Sequence, residues 1–147
     1  MGWIARSIGP ITVVEPKPSP QIKSLAQKKK IALLASVPAK KFSACVVAIK
    51  PQILKEGAGT LADIAKSALM ISIAAGTDTK RLSAAWGPKA RIIRAMPNTP
   101  GAIGQGITGL YAAKGTTPAD AKRATLLLAA LGETLWVKTE ALIDSVT

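Results

Sequence analysis

The strongest constraint on this chain is a rhythm: short apolar runs, rich in β-branched residues, recur along it between stretches of helical spacing. "ITVVE" (Ile11–Glu15), "IALLAS" (Ile31–Ser36), "CVVAIK" (Cys45–Lys50), "LMISIA" (Leu69–Ala74), "RIIRA" (Arg91–Ala95), "ITGLYAA" (Ile107–Ala113) and "TLWVK" (Thr134–Lys138) read as strands. Strands alternating with helices form the pattern of an α/β protein built on a parallel sheet. Runs such as "IALLAS" and "CVVAIK" are continuously apolar, as strands covered on both faces must be.

The intervening segments carry helix signals. Ser19 caps a short helix with Pro20 in its first turn and Ile22, Leu25 and Ala26 on one face. Leu54, Ala58, Leu61, Ala65 and Ala68 recur at helical spacing, weakened by Gly57 and Gly59. A helix from about Asp78 to Trp86 closes at Gly87–Pro88. The clearest helix is capped by Thr117, with Pro118 first and Asp120 at its positive end. Ala121, Ala124, Leu127, Leu128 and Leu131 form its apolar face, and Gly132 stops it. "TEALIDSVT" begins a further helix at the end of the chain.

Composition narrows the chemistry. With no His and one Cys, there is no Ser-His or Cys-His machinery and no zinc site. Cys45 lies within the apolar "CVVAI" as a small buried filler, and a single cysteine fits a reducing, cytoplasmic setting. An enzyme of this composition relies on a cofactor for the reaction itself. No apolar run approaches the roughly 20 residues of a membrane span, and Pro10, Glu15, Pro16 and Pro18 break up any signal peptide. The net charge of +12 suggests anionic partners, and nine lysines with no acid lie between Glu15 and Glu56. Phe42 is the one aromatic residue among those lysines, too few for a base-stacking surface, so they read as a solvated face rather than a nucleic-acid surface.

In an open parallel sheet, ligands bind outside the carboxyl ends of the strands. Three successive strands end here in irregular sequence: at Lys50–Pro51, at Ala75–Gly76 and at Met96–Pro97–Asn98. Right-handed crossovers place those ends side by side on one edge. Lys50 offers a cation or hydrogen bonds to a phosphate or ribose, and Pro51 fixes the turn beside it. Ala74, Ala75 and Gly76 let a flat ring or sugar approach the backbone. Asn98 both donates and accepts, which suits a carboxamide such as nicotinamide's, and Pro97 and Pro100 restrict the loop that aims it. Each feature alone is an ordinary turn; together they point to an α/β domain with a site at the strand ends.

"AIKPQ", "SIAAGT", "RAMPNTPGAIGQGITGLYA" and the closing "DSVT", in this order and spacing, closely resemble pyrroline-5-carboxylate reductase. The resemblance covers nearly the whole chain, and "MPNTP" is its most specific block. It implies a domain that binds NADPH or NADH and an enzyme that delivers hydride to the C=N carbon of 1-pyrroline-5-carboxylate, giving L-proline. By that resemblance Ala48, Ile49, Lys50, Pro51, Ala74, Ala75 and Gly76 line the cofactor, with Asn98 near the nicotinamide. Glu15 falls near the adenosine ribose and Ser36 near the adenine. Glu15 favours NAD, whereas Lys17 and the acid-free stretch behind it favour NADP.

The resemblance also implies what lies outside the chain. The family opens with a strand and a glycine-rich turn, whereas "MGWIARS" resembles the later part of the first helix. After "DSVT" the family continues into a Ser- and Gly-rich segment and a helical domain that dimerises and grips the substrate. The expectation is therefore an incomplete doubly wound Rossmann-like sheet, its first strand missing between the strands at Ile11–Glu15 and Cys45–Lys50. Residues 1–138 form the cofactor domain and residues 139–147 start a helix into an absent domain, which holds the catalytic groups. The chain alone is then inactive, and the intact enzyme is a homo-oligomer with a small-molecule substrate, contacting neither nucleic acid nor membrane. Rival readings are another imine or hydroxyacid reductase, a non-catalytic nucleotide-binding module, and a basic nucleic-acid binder.

Overall fold

The computed structural model describes residues 2–50, 53–54 and 58–146. The chain forms two compact units, Met1–Lys40 and Lys41–Thr147. In the first, α1 (Gly2–Ala5) precedes β1 (Thr12–Val14), α2 (Pro20–Gln27) and β2 (Ala32–Leu34). β1 and β2 pair in parallel, Thr12 opposite Ala32 and Val14 opposite Leu34, so α2 is the crossover of a βαβ unit. The Ser19 hydroxyl caps α2 by accepting from the Ile22 N–H, as its sequence signal predicts.

The second unit holds β3 (Ala44–Val47), α3 (Ala58–Ala65), β4 (Leu69–Ser72), α4 (Thr79–Trp86) and β5 (Arg91–Pro97). A 3-10 turn (Thr99–Ile103) leads to β6 (Gly106–Ala112), α5 (Pro118–Leu128), a second 3-10 turn (Ala129–Leu131), β7 (Gly132–Trp136) and a final 3-10 turn (Glu140–Ser145). Its sheet runs β3-β4-β5-β6-β7. β1 and β3, the expected neighbours of the missing strand, belong to different sheets.

All ladders in the second unit are parallel except β5 with β6, where Met96 faces Gly109 and Pro97 faces Thr108. The reversal follows from length. A parallel crossover needs about a dozen residues or more, and residues 98–105 supply only a tight turn. β3 and β4 are shorter than their apolar runs, so Ala48–Lys50 and Ile73–Ala74 lie beyond the strands. The terminal segment is a 3-10 turn where helix was expected.

The core is aliphatic. Leu69, Ile71, Ile93, Ala95 and Leu110 of the sheet pack against Ala124 and Leu128 of α5. The pleat turns Met70 and Ile92 to the opposite face, and both are fully buried, so helices and turns cover both sides. α5 starts as its sequence indicates: the Thr117 hydroxyl accepts from the Asp120 N–H, while the Asp120 carboxylate accepts from the Thr117 N–H.

Candidate functional site

β3 and β4 end together, Val47 opposite Ser72, while β5 runs three residues past Arg94, the partner of Ser72, to Pro97, so the three carboxyl ends lie along one edge. Because β6 is antiparallel to β5 and parallel to β7, the starts of β6 and β7 meet this same edge. The expected juxtaposition of three strand ends is therefore present, with the "MPNTP" turn as its third member.

Each loop on this edge has a distinct character. After β3, Ala48 and Lys50 are exposed and Ile49 is half-buried. The Lys50 carbonyl accepts from the Leu54 N–H at 3.0 Å, which turns the chain while its ammonium stays accessible. Pro51 lies outside the described residues. After β4, the Ile73 N–H donates to the Val47 carbonyl, and the buried Ser72 hydroxyl accepts from the Ala74 N–H at 3.3 Å. Ala74 is buried, whereas Ala75 and Gly76 are exposed. Gly76 has φ of +67°, in the left-handed region that favours glycine. An exposed, side-chain-poor turn is what a planar ligand needs in order to reach the backbone.

Asn98 is fixed by its own fold. Its Oδ1 accepts from the Ile107 N–H at 3.0 Å, and its main-chain carbonyl accepts from the Gly101 N–H. Only the amide oxygen can accept from an N–H, so the orientation of the group is set and Nδ2 points its donors elsewhere. The carboxamide thus keeps only its donating half for a ligand. Gly106 makes this closure possible, since a Cβ there would meet Gly101 N at 2.6 Å and Asn98 Oδ1 at 2.8 Å.

Glu15 and Ser36 belong to the first unit, where they follow the paired carboxyl ends of β1 and β2. The Glu15 N–H continues that ladder by donating to the Leu34 carbonyl, and its Oε1 accepts from the Lys17 N–H at 2.9 Å. Ser36 is exposed. Cys45 sits half-buried in β3, and burial pushes its thiol pKa up, away from the reactive thiolate.

The sequence reading missed a polar cluster in the second unit. Arg94 is buried in β5 and donates through Nη2 to Asp144 Oδ1 at 2.9 Å; its Nη1 lies 3.6 Å from Glu140 Oε1. Glu140 also accepts from the Thr79 N–H at 2.8 Å and from the Thr79 hydroxyl at 2.7 Å, at the first residue of α4. An arginine inside the apolar run "RIIRA" was the available signal, because a buried guanidinium requires carboxylate or carbonyl partners. Among the described residues, no group of three His, Cys, Asp or Glu could hold a metal, and no helix is long and apolar enough to cross a membrane.

The fold is that of a Rossmann-like α/β protein with an open edge at the carboxyl ends of β3, β4 and β5. No protein-family model matches the chain. In sequence it is 41% identical over 108 residues to a pyrroline-5-carboxylate reductase of Haemophilus influenzae, covering 73% of this chain and 40% of that relative. It superimposes on a pyrroline-5-carboxylate reductase structure from Coxiella burnetii with a TM-score of 0.87 and 29% identity, over 97% of this chain and 55% of that one. A Plasmodium falciparum pyrroline carboxylate reductase, solved with NADP bound, gives a TM-score of 0.75 at 23% identity over 97% of this chain and 52% of that one, a likeness of fold. Over the stretch compared, the chain is similar to pyrroline-5-carboxylate reductases in both sequence and fold. It spans about two-fifths of the length of the curated relatives it matches.

Proposed function

We propose that this chain provides the nicotinamide-dinucleotide-binding part of a reductase that converts 1-pyrroline-5-carboxylate to L-proline. The observation that carries the reading is the shared edge: the ends of three adjacent parallel strands, beside an Asn98 amide whose oxygen accepts from Ile107 and whose Nδ2 has no partner among the described residues. The donor set fits such a cofactor. Exposed Lys50 faces a phosphate or ribose, Ala48 and Ile49 flank it, Ala74–Gly76 admit a ring or sugar, and Asn98 Nδ2 donates to the carboxamide oxygen. Pro51, together with Glu15 at the ribose and Ser36 at the adenine, is assigned on the family resemblance. When bound, NADPH or NADH supplies the hydride that adds to the C=N carbon. The chain's own residues bind and orient the cofactor and limit its freedom at the nicotinamide end.

Residues 1–138 form the cofactor portion in this reading, and residues 139–147 lead toward the part that dimerises and holds the substrate. The whole protein is a cytoplasmic homo-oligomer whose partner is a small molecule. NADPH and NADH titrations of the purified chain, followed by nucleotide fluorescence, test the first step; saturable binding is expected, and none from either nucleotide would sink the proposal. The reaction is tested by replacing the matched region of the Haemophilus influenzae relative with that of this chain. Consumption of NADPH or NADH upon addition of 1-pyrroline-5-carboxylate is expected. Saturable binding with no turnover in that hybrid would favour a non-catalytic nucleotide module instead.

A further inference from the structure

We infer that Arg94, Glu140 and Asp144 act as a positioning clamp that holds the β4–α4 turn, Ile73–Asp78, in place at the strand-end edge. The inference rests on the nucleotide-binding reading of that edge. One end of the turn is fixed by the sheet, through the Ile73 N–H and the Val47 carbonyl. The other end enters α4 at Thr79. There the Glu140 carboxylate takes both the N–H and the hydroxyl of Thr79, at 2.8 and 2.7 Å. Asp78 caps the same helix locally, accepting from the Arg81 N–H at 2.7 Å. Local capping fixes the helix start; among the described residues, the hydrogen bonds that tie that start to a distant part of the unit come from Glu140.

Glu140 is itself held from behind. Arg94 Nη1 approaches its Oε1 at 3.6 Å, and Arg94 Nη2 donates to Asp144, four residues further along the same turn. The two carboxylates and one guanidinium leave one negative charge in excess, which the N-terminal end of α4 accommodates. The 3-10 turn that carries both acids is seated by packing. Ile143 is fully buried, and a Cβ on Gly109 would meet its carbonyl at 3.2 Å, so glycine there lets this segment pack closely on β6. Arg94 in turn lies opposite Ser72, whose hydroxyl shapes the first residues of the turn. The clamp therefore links the segment after β7 to both ends of a loop proposed to touch the cofactor. It makes no cofactor contact itself, so these are positioning residues.

The test uses Glu140→Ala, Glu140→Gln and, as a stability control, Asp120→Asn at the far end of β5. For each full chain, the NADPH and NADH dissociation constants, the melting temperature and amide hydrogen exchange at Ala74–Thr79 are measured. Glu140→Ala should weaken nucleotide binding about tenfold and accelerate exchange at Thr79 and through the turn. Glu140→Gln keeps an oxygen for the Thr79 N–H and should restore affinity to within about threefold of the parent. Asp120→Asn should lower the melting temperature while leaving affinity and turn exchange unchanged. Unaltered exchange at Ala74–Thr79 in Glu140→Ala, or equal losses of affinity in Glu140→Ala and Asp120→Asn, would overturn the clamp. If the parent chain binds neither nucleotide, the functional reading falls and the exchange data still decide the clamp.

Discussion

β5 carries two arginines, Arg91 at its amino end and Arg94 at its midpoint, and the two are held in different ways. At the amino end, Arg91 donates to Asp120 Oδ1 and to the Ser67 carbonyl, both at 2.6 Å, stitching α5 and the α3–β4 turn to the sheet. Its side chain remains 33% exposed, so water shares the charge. At mid-strand, beside the end of β4, the Arg94 side chain is only 6% exposed; its Nε is buried without a partner among the described residues, and Glu140 and the more exposed Asp144 hold its terminal nitrogens. Arg91 and Arg94 point to opposite faces, three residues apart in a strand. The Arg91 pair joins α5 to the amino end of the strand, whereas the Arg94 pair ties the last turn to the middle of the strand, beside the turn proposed to contact the cofactor.

The largest break in this comparison is Arg94→Ala. It leaves the partly buried Glu140 without its cation and removes the tie to the last turn, so urea unfolding should show a loss of about 3 kcal/mol, the low end for a buried pair because Asp144 stays hydrated. Asp120→Ala at the amino end should cost about 2 kcal/mol, from the lost α5 cap and a pair that water partly screens. Equal losses from the two changes would show that burial does not separate them.

Asn98 carries the comparison to the carboxyl end. Its truncation to Ala strands the Ile107 N–H, and a loss of about 1–2 kcal/mol is expected. Asn98→Asp retains the Oδ1 acceptor while removing the Nδ2 donors. It should therefore keep most of the stability and weaken nucleotide binding, the reverse of a purely structural asparagine. Melting temperature and affinity measured on both variants separate the two roles.

These contrasts also explain what the sequence could reveal. The strands, the α2 and α5 caps and the shared edge depend on local residues, and each has a local signature. The α5 capping box was readable because Thr117 and Asp120 are neighbours. The family resemblance rests on contiguous blocks such as "MPNTP". The clamp was not readable: Thr79 and Glu140 are joined across 61 residues, and nothing near either one predicts the other. Asn98 was read as an aimed amide, yet its acceptor turns inward to Ile107, a bond visible only once the β5–β6 reversal is known. That reversal was itself implicit in the shortness of "NTPGAIGQ". Residues 55–57 and Pro51, where one helix and one cofactor position were expected, lie outside the described residues.

The smallest expected effect is the most exacting test of the comparison: exchanging each arginine for lysine. At Arg91, two different nitrogens serve Asp120 and Ser67 at once, a fork that a single ammonium cannot reproduce. With a third of that side chain in water, the contact that is lost becomes hydrated, and Arg91→Lys should cost only about 0.5 kcal/mol. At Arg94 the same change loses one of two carboxylate contacts of a cation that is only 6% exposed, while the freed Asp144, 59% exposed, turns to water. Arg94→Lys should therefore cost more than Arg91→Lys, because of the buried cation, and, through Glu140, loosen the turn before α4. Urea midpoints on the two variants, with hydrogen exchange at Thr79, decide the matter. If Arg91→Lys is as damaging as Arg94→Lys, or if only Arg91→Lys quickens exchange at Thr79, then burial and reach do not distinguish the two arginines of β5.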